Sequence, residues 1–216
     1  MRILCLTAVT SLLILGLTGL ANATIIIYDA PNFVQPEENL LLQGTGLTTT
    51  GMTVQGQTNQ TGTIFNITGS EELTLPSNGQ ARVEASLGTY TSATFDADNP
   101  LLFFTSFEAN VNVTGTPVIT VGATEPNGVA TLYTYTGESG GQNFFGVRAI
   151  DGQMIDFITV STDPYESIAD IRQIRVGGIG GFPPVPEPTS VALLGTGLGV
   201  IGLAGLRRKK KTTANR

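Results

Sequence analysis

Residues 24–181 predict an all-β fold, an antiparallel β-sandwich of jelly-roll or lectin-like kind. Three observations carry that expectation. Short segments rich in Val, Ile, Thr, Tyr and Phe recur about every ten residues. Gly, Asn, Asp and Pro punctuate the chain between them. Outside two terminal apolar segments, no stretch keeps the 3.6-residue period of an amphipathic helix. A closed barrel is the alternative way to bury such strands.

In chain order the candidate strands are 24–28, 52–55, 63–68, 72–75, 81–87, 91–95, 101–108, 117–121, 129–136, 143–150, 154–160 and 171–176. The segment 81–87 alternates, with Ala81, Val83, Ala85 and Leu87 on one face and Arg82, Glu84 and Ser86 on the other. The apolar run Leu101, Leu102, Phe103, Phe104 predicts the most buried piece, and 154–160, apolar on both faces apart from Asp156, predicts a central strand. Ser77-Asn78-Gly79 and Asp151-Gly152 supply residues that tolerate positive φ, so each predicts a hairpin. Asn127-Gly128 marks a further turn before 129–136. The Thr-, Gly- and Gln-rich stretch 44–62 predicts a mobile loop or edge, and 167–172 has room for one helical turn.

The charge pattern narrows the partners. Residues 24–185 hold 16 acidic side chains against four basic ones (Arg82, Arg148, Arg172 and Arg175), a net charge of −12 that the cationic end of the chain masks. Nucleic acid and anionic lipid are poor partners for such a surface. The chain has no histidine, and 24–185 also lacks cysteine and lysine. Ser-His-Asp and Cys-His nucleophiles, His or Cys zinc sites and Schiff-base chemistry are therefore ruled out there. Carboxylate chemistry and a hard-cation site survive. Asp96 and Asp98 are the best Ca²⁺ candidates, alternate oxygens on a loop, with Asp163, Glu166 and Asp170 as a second acid-rich stretch. Neither group supplies six to eight ligands alone, so solvated turn residues are the plainer reading and no cofactor is expected. Arg172 and Arg175, three apart, should point to opposite faces of a strand, one paired with a carboxylate and the other in solvent.

Both ends read as export signals. Residues 1–23 have a basic start at Arg2, an apolar stretch and Ala21-Asn22-Ala23, the pattern cut by signal peptidase, so a mature chain beginning at Thr24 is expected. The single cysteine, Cys5, falls inside that segment. At the other end, 182–189 is a Pro-rich linker containing Pro186, Glu187 and Pro188. Residues 190–206 follow with no ionisable side chain, enough for a helix of roughly 25 Å, just short of a bilayer core. Arg207, Arg208, Lys209, Lys210 and Lys211 then form a stop-transfer block that stays cytoplasmic, within a basic tail at 207–216.

This tail resembles the PEP-CTERM sorting signal of Gram-negative bacteria, in its triplet, its short apolar helix and its basic end. The resemblance implies processing by an exosortase, a membrane transpeptidase that recognises Pro186, Glu187 and Pro188, after an inner-membrane intermediate. The destination it implies is the cell surface or extracellular matrix of species that make exopolysaccharide. Residues 143–178, with Phe144-Phe145 and Asp170-Ile171-Arg172-Gln173-Ile174-Arg175, also resemble the closing block of many ectodomains carrying that signal, which look like lectin or carbohydrate-binding sandwiches; this is fold-level analogy. The leading expectation is a non-enzymatic surface or matrix protein with a structural or adhesive role. A carbohydrate- or Ca²⁺-binding module is the alternative, and a carboxylate-dependent glycoside hydrolase the second.

Overall fold

The computed structural model describes residues 24–76, 82–140, 142–163 and 166–181. The expected signal segment, the turn at 77–79, the Pro-Glu-Pro triplet, the apolar segment 190–206 and the basic end lie outside the described residues. Contacts divide the chain into two compact units, Met1–Gly181 and Phe182–Arg216, and every described residue belongs to the first.

Among the described residues there is no helix, and twelve strands make the fold. They are β1 (Thr24–Tyr28), β2 (Glu38–Leu41), β3 (Thr50–Thr58), β4 (Ile64–Thr74), β5 (Arg82–Ala85), β6 (Ser92–Ala97), β7 (Ser106–Thr114), β8 (Val118–Thr124), β9 (Ala130–Thr136), β10 (Asn143–Ile150), β11 (Phe157–Thr162) and β12 (Ser167–Gly177). The ladders are antiparallel and join all twelve into one sheet folded over on itself. β1-β10-β7-β12 form one layer and β3-β4-β6-β11-β8-β9 the other. β2 and β5 stitch the layers along one rim, each pairing with β12 on one side and with β3 or β4 on the other. At the opposite rim no ladder closes the sheet, but Tyr133 of β9 donates its hydroxyl to Asp29, just after β1, at 3.0 Å. The result lies between the two expectations, a sandwich flattened from a nearly closed barrel.

The core lies between the layers because apolar residues alternate along the strands that face it. Phe95 of β6 and Phe107 of β7 come from opposite layers, with ring centroids 5.1 Å apart. Phe145 stacks on Phe107 at 5.8 Å, and Phe104 bridges Phe107 at 6.3 Å and Phe65 at 5.6 Å. Tyr90 is also buried, and its hydroxyl is satisfied by donating to the Val83 carbonyl at 3.1 Å.

Several expectations are corrected. The strand expected at 52–55 is present but longer, as β3 at 50–58, so much of the stretch 44–62 read as a mobile loop or edge is ordered strand that turns Val54, Gly56 and Thr58 inward. β2 was not foreseen, because four residues containing an acid carry almost no periodic signal. The segments 63–68 and 72–75 are one strand, β4. Of the run 101–104, Phe104 is fully buried but Leu101 is 72 % exposed, and the strand starts only at Ser106. Leu87, expected inside, is 92 % exposed beyond the end of β5. Asp151-Gly152 does make a tight turn, with φ of 57° and 82° and Gln153 N–H donating to the Ile150 carbonyl. It closes no hairpin, however: β10 pairs with β1 and β7, while β11 pairs with β6 and β8, so the turn carries the chain between layers. β11 is central in its layer, as expected.

The helical turn expected at 167–172 is instead β12. Ile168, Ile171 and Ile174 all reach the core although they are three apart. Two bulges, between Ile168 and Asp170 and between Arg172 and Arg175, each insert one residue and convert a period of two into a period of three.

Candidate functional site

The outer face of the β3-β9 layer carries the residues that the acid pattern singled out. Rungs of polar side chains cross it. Gln55 Nε2 donates to Asn66 Oδ1 at 3.2 Å, Asn66 Nδ2 to Asp98 Oδ1 at 3.2 Å, and the Thr53 and Thr68 hydroxyls meet at 2.9 Å. At the end of β6, Thr94, Asp96, Ala97, Asp98, Pro100, Asp156 and Phe157 line an open recess of about 340 Å³. Burial pushes the Asp96 carboxyl up, and the charges of Asp156 and Asp98 beside it add to that shift. Burial raises Asp156 as well. This recess therefore concentrates negative charge without a cation on the same rungs. Among the described residues, no group of three or more His, Cys, Asp or Glu is placed to hold one metal ion. The second acidic stretch does not converge either. Asp163 and Glu166 form a turn closed by Glu166 N–H on the Asp163 carbonyl at 2.9 Å, whereas Asp170 is buried in β12.

The other layer holds a cluster that residue spacing concealed. Along β7, Phe107, Ala109, Val111 and Val113 enter the core, so Ser106, Glu108, Asn110 and Asn112 face outward. Outward polar residues on a solvated sheet are normally exposed, yet Glu108 is 3 % and Asn110 1 % exposed. Opposite them on β12 stand Arg175 (partner of Glu108), Arg172 (partner of Asn110) and Asp170 (partner of Asn112). Arg172 and Arg175 were expected on opposite faces. The bulge at Gln173, whose φ is 53°, puts both on the same one. Arg82 and Glu84 of β5 extend the strip and are ion-paired at 2.7 Å. Arg148 of β10 lies opposite Ser106 and is exposed. All four arginines of residues 24–185 thus stand on the outer face of this layer or its stitching strand.

The hydrogen bonding of this strip is incomplete. Asp170 Oδ2 accepts from Asn112 Nδ2 at 2.8 Å, but its Oδ1 is 3.8 Å from Arg172 Nε, too far for a hydrogen bond. Asn110 Nδ2 donates to Gln173 Oε1 at 3.2 Å, leaving its Oδ1 without a partner. Glu108 Oε2 and Arg175 Nε also have no hydrogen-bond partner among the described residues. Beside the strip, Phe144 of β10 is the register partner of Asn110 and half-buried. Residues 29–37 cross the neighbouring end, where Phe33 packs on Tyr28 with ring centroids 3.6 Å apart and Val34 fills the space above Gly146. Sequence reasoning missed this cluster: the alternation of Ser106, Glu108, Asn110 and Asn112 with apolar residues marks one polar face of β7, but only the bulged register of β12 brings Asp170, Arg172 and Arg175 onto it.

Residues 184–209 match the PEP-CTERM protein-sorting motif. No curated protein matches the chain. Among solved structures, the family 11 carbohydrate-binding module of the cellulosomal cellulase Lic26A-Cel5E of Clostridium thermocellum superposes with a TM-score of 0.30 at 14 % identity, covering 66 % of this chain and 95 % of that one.

Proposed function

We propose that this chain, which carries a PEP-CTERM protein-sorting signal at residues 184–209, is an exported surface protein with a structural or adhesive role in the envelope, biofilm or exopolysaccharide layer. The sorting motif is the observation that carries this reading. In it, signal peptidase cuts after Ala23, residues 190–206 span the inner membrane, and Arg207 to Lys211 hold the cytoplasmic side. An exosortase then acts near Pro186, Glu187 and Pro188, and the β-domain is the part that reaches the surface or matrix. A non-catalytic role fits the residue types, since the described domain has no histidine, cysteine or lysine. A glycosidase needs two carboxyl groups about 5–9.5 Å apart. Glu108 and Asp170 stand too far apart along the sheet for that, four residues or about 13 Å by strand rise. For the hydrolase alternative the candidate carboxyls are Asp96 and Asp156, which line one recess at the end of β6. Loss of polysaccharide hydrolysis on replacing both would establish it, and no turnover by the unaltered chain would dismiss it.

The test of delivery is a Pro186→Ala/Glu187→Ala double substitution in the native host, followed by surface immunolabelling and membrane fractionation. The expected result is loss of surface label with uncleaved chain retained in the inner membrane. Unchanged display would overturn the sorting reading.

A further inference from the structure

β9 ends the sheet, and one of its two backbone edges faces no partner strand among the described residues. Its ladder with β8 runs without a register shift from Thr124 opposite Ala130 to Val118 opposite Thr136. The phase of that ladder fixes which groups are left over. Glu125 N–H donates to the Val129 carbonyl and Gly137 N–H to the Pro117 carbonyl, both at 2.8 Å. Hydrogen-bonded pairs alternate along an antiparallel ladder, so Thr131, Tyr133 and Tyr135 direct their N–H and C=O groups at β8. Ala130, Leu132, Thr134 and Thr136 therefore direct theirs away from it, and all four residues are exposed. The bond from Tyr133 to Asp29 across the rim is made by a side chain and uses none of these backbone groups. Edges that stay in water are protected by Lys, Pro, inward charge or a bulge. β9 has none of these: Ala130-Thr131-Leu132-Tyr133-Thr134-Tyr135-Thr136 is uncharged, regular in register and rich in the β-branched and aromatic residues that favour strand pairing.

Charge and symmetry select the occupant. The domain carries a net charge of −12, so copies of it repel one another over most of their surface. The β8–β9 pair is an exception, since 118–124 and 129–137 hold no charged residue. It also gathers exposed apolar side chains, with Val118, Val129 and Leu132 at 51, 55 and 68 % exposure. An uncharged edge offers no attraction to an acidic or a basic partner, but it is complementary to itself. Antiparallel pairing about a two-fold axis at Tyr133 sets Leu132 of one copy opposite Thr134 of the other, and Ala130 opposite Thr136. Every outward residue of both copies is then used, in roughly eight hydrogen bonds. We propose that β9 is a self-association edge, along which a second copy of this chain pairs antiparallel over Ala130–Thr136 and continues the sheet. Two seven-residue strands bury less than the ~1,600 Å² of a standard interface, so the dimer is weak and forms where chains are crowded. The surface-protein reading supplies that crowding, and the pairing itself does not depend on it.

The test is sedimentation velocity of the full-length chain in mild detergent over a range of protein concentrations, with amide hydrogen exchange measured on the same samples. A monomer–dimer equilibrium is expected, strengthened by salt because screening weakens the repulsion between domains. Exchange over 130–136 should slow as concentration rises. Thr134→Pro removes an outward N–H without breaking a bond to β8, and should weaken dimerisation about tenfold or more. Thr134→Val keeps that N–H and should stay within about twofold of the parent. Leu132→Glu adds like charge to both copies and should match the proline variant. It also keeps the test decisive if thermal unfolding shows the proline variant to be misfolded. Folded chain that stays monomeric at every concentration overturns the proposal, as do assemblies that grow past the dimer. Dimerisation indifferent to Leu132→Glu, with exchange over 130–136 independent of concentration, overturns it too and places the contact elsewhere. Delivery to the surface is read independently by the Pro186/Glu187 variant, so the two readings fail separately.

Discussion

Glu108 on β7 and Arg175 on β12 are register partners on the outer face of one sheet, yet Glu108 Oε2 and Arg175 Nε make no hydrogen bond to each other or to any described residue. Their shared face depends on Gln173. Without the extra residue at that bulge, Arg175 would fall on the core side with Ile171, and Ile174 would turn outward.

Gln173 is held at a φ of 53°, a region that β-branched side chains resist. Gln173→Val should therefore cost about 2 kcal/mol in urea unfolding. Gln173→Gly relieves the backbone but forfeits the bond from Asn110, so its stability should stay within about 1 kcal/mol of the parent. Equal losses for the two variants would show that the bulge geometry carries no strain.

Phe107 ties the layers together through Phe95, Phe104 and Phe145. Phe107→Ala should lose about 3–5 kcal/mol, from both transfer and cavity costs. Leu101→Ala and Leu87→Ala, at exposed positions that sequence reading had placed in the core, should change stability by no more than about 0.5 kcal/mol. Chemical denaturation of all three variants provides the comparison.

Val34 packs where a side chain on residue 146 would stand: a Cβ there would lie 2.6 Å from Val34 Cγ2. Gly146→Ala should displace residues 29–37 and cost about 1–3 kcal/mol. A Val34→Ala second substitution should restore part of it. Amide hydrogen exchange should show faster exchange over 29–37 in the single variant and recovery in the double.

Acid should act on two carboxylates in opposite senses. Burial pushes Glu38 up, but hydrogen bonds from Thr61, Thr58 and Gln60 outweigh it and hold its pKa below the ordinary value. The bonds from Gln60 N–H and Thr61 N–H to Glu38 Oε2 are 3.1 and 2.8 Å long. A depressed folded pKa stabilises above the unfolded value, and that contribution is lost as pH falls through the folded one. Glu38→Gln should cost about 1.5–3 kcal/mol at pH 7 and flatten the acid limb of the stability profile. Asp96 is raised by burial and by its acidic neighbours, so its ionised form destabilises the fold above its folded pKa, and protonation relieves this as pH falls. Asp96→Asn should gain about 0.5 kcal/mol at pH 7 after allowing for solvent screening. That gain should vanish as the pH drops below the ordinary carboxylate range. Thermal melts of both variants from pH 3 to 8 separate the two signs.

Sequence by itself determined the fold class, most strand positions and the sorting signal. Each of these is written in local pattern: alternation at 81–85, the apolar and β-branched residues of 143–150, and the triplet, apolar run and basic block of 186–211. Tertiary structure alone decided which strands are neighbours, and with them the candidate site. Asp151-Gly152 has the residues of a hairpin turn, but the partners of β10 and β11 are strands distant in the chain, so pairing rests on long-range packing that no turn residue encodes. Arg172 and Arg175 share a face only because a bulge shifts the register, and β7 appears as an ordinary half-polar strand until β12 is laid beside it. The acidic recess was half legible for the same reason. Asp96 near the end of β6 and Asp98 just beyond it lie two apart in the chain, whereas Asp156 reaches them from just before β11 across a ladder that only the folded sheet defines.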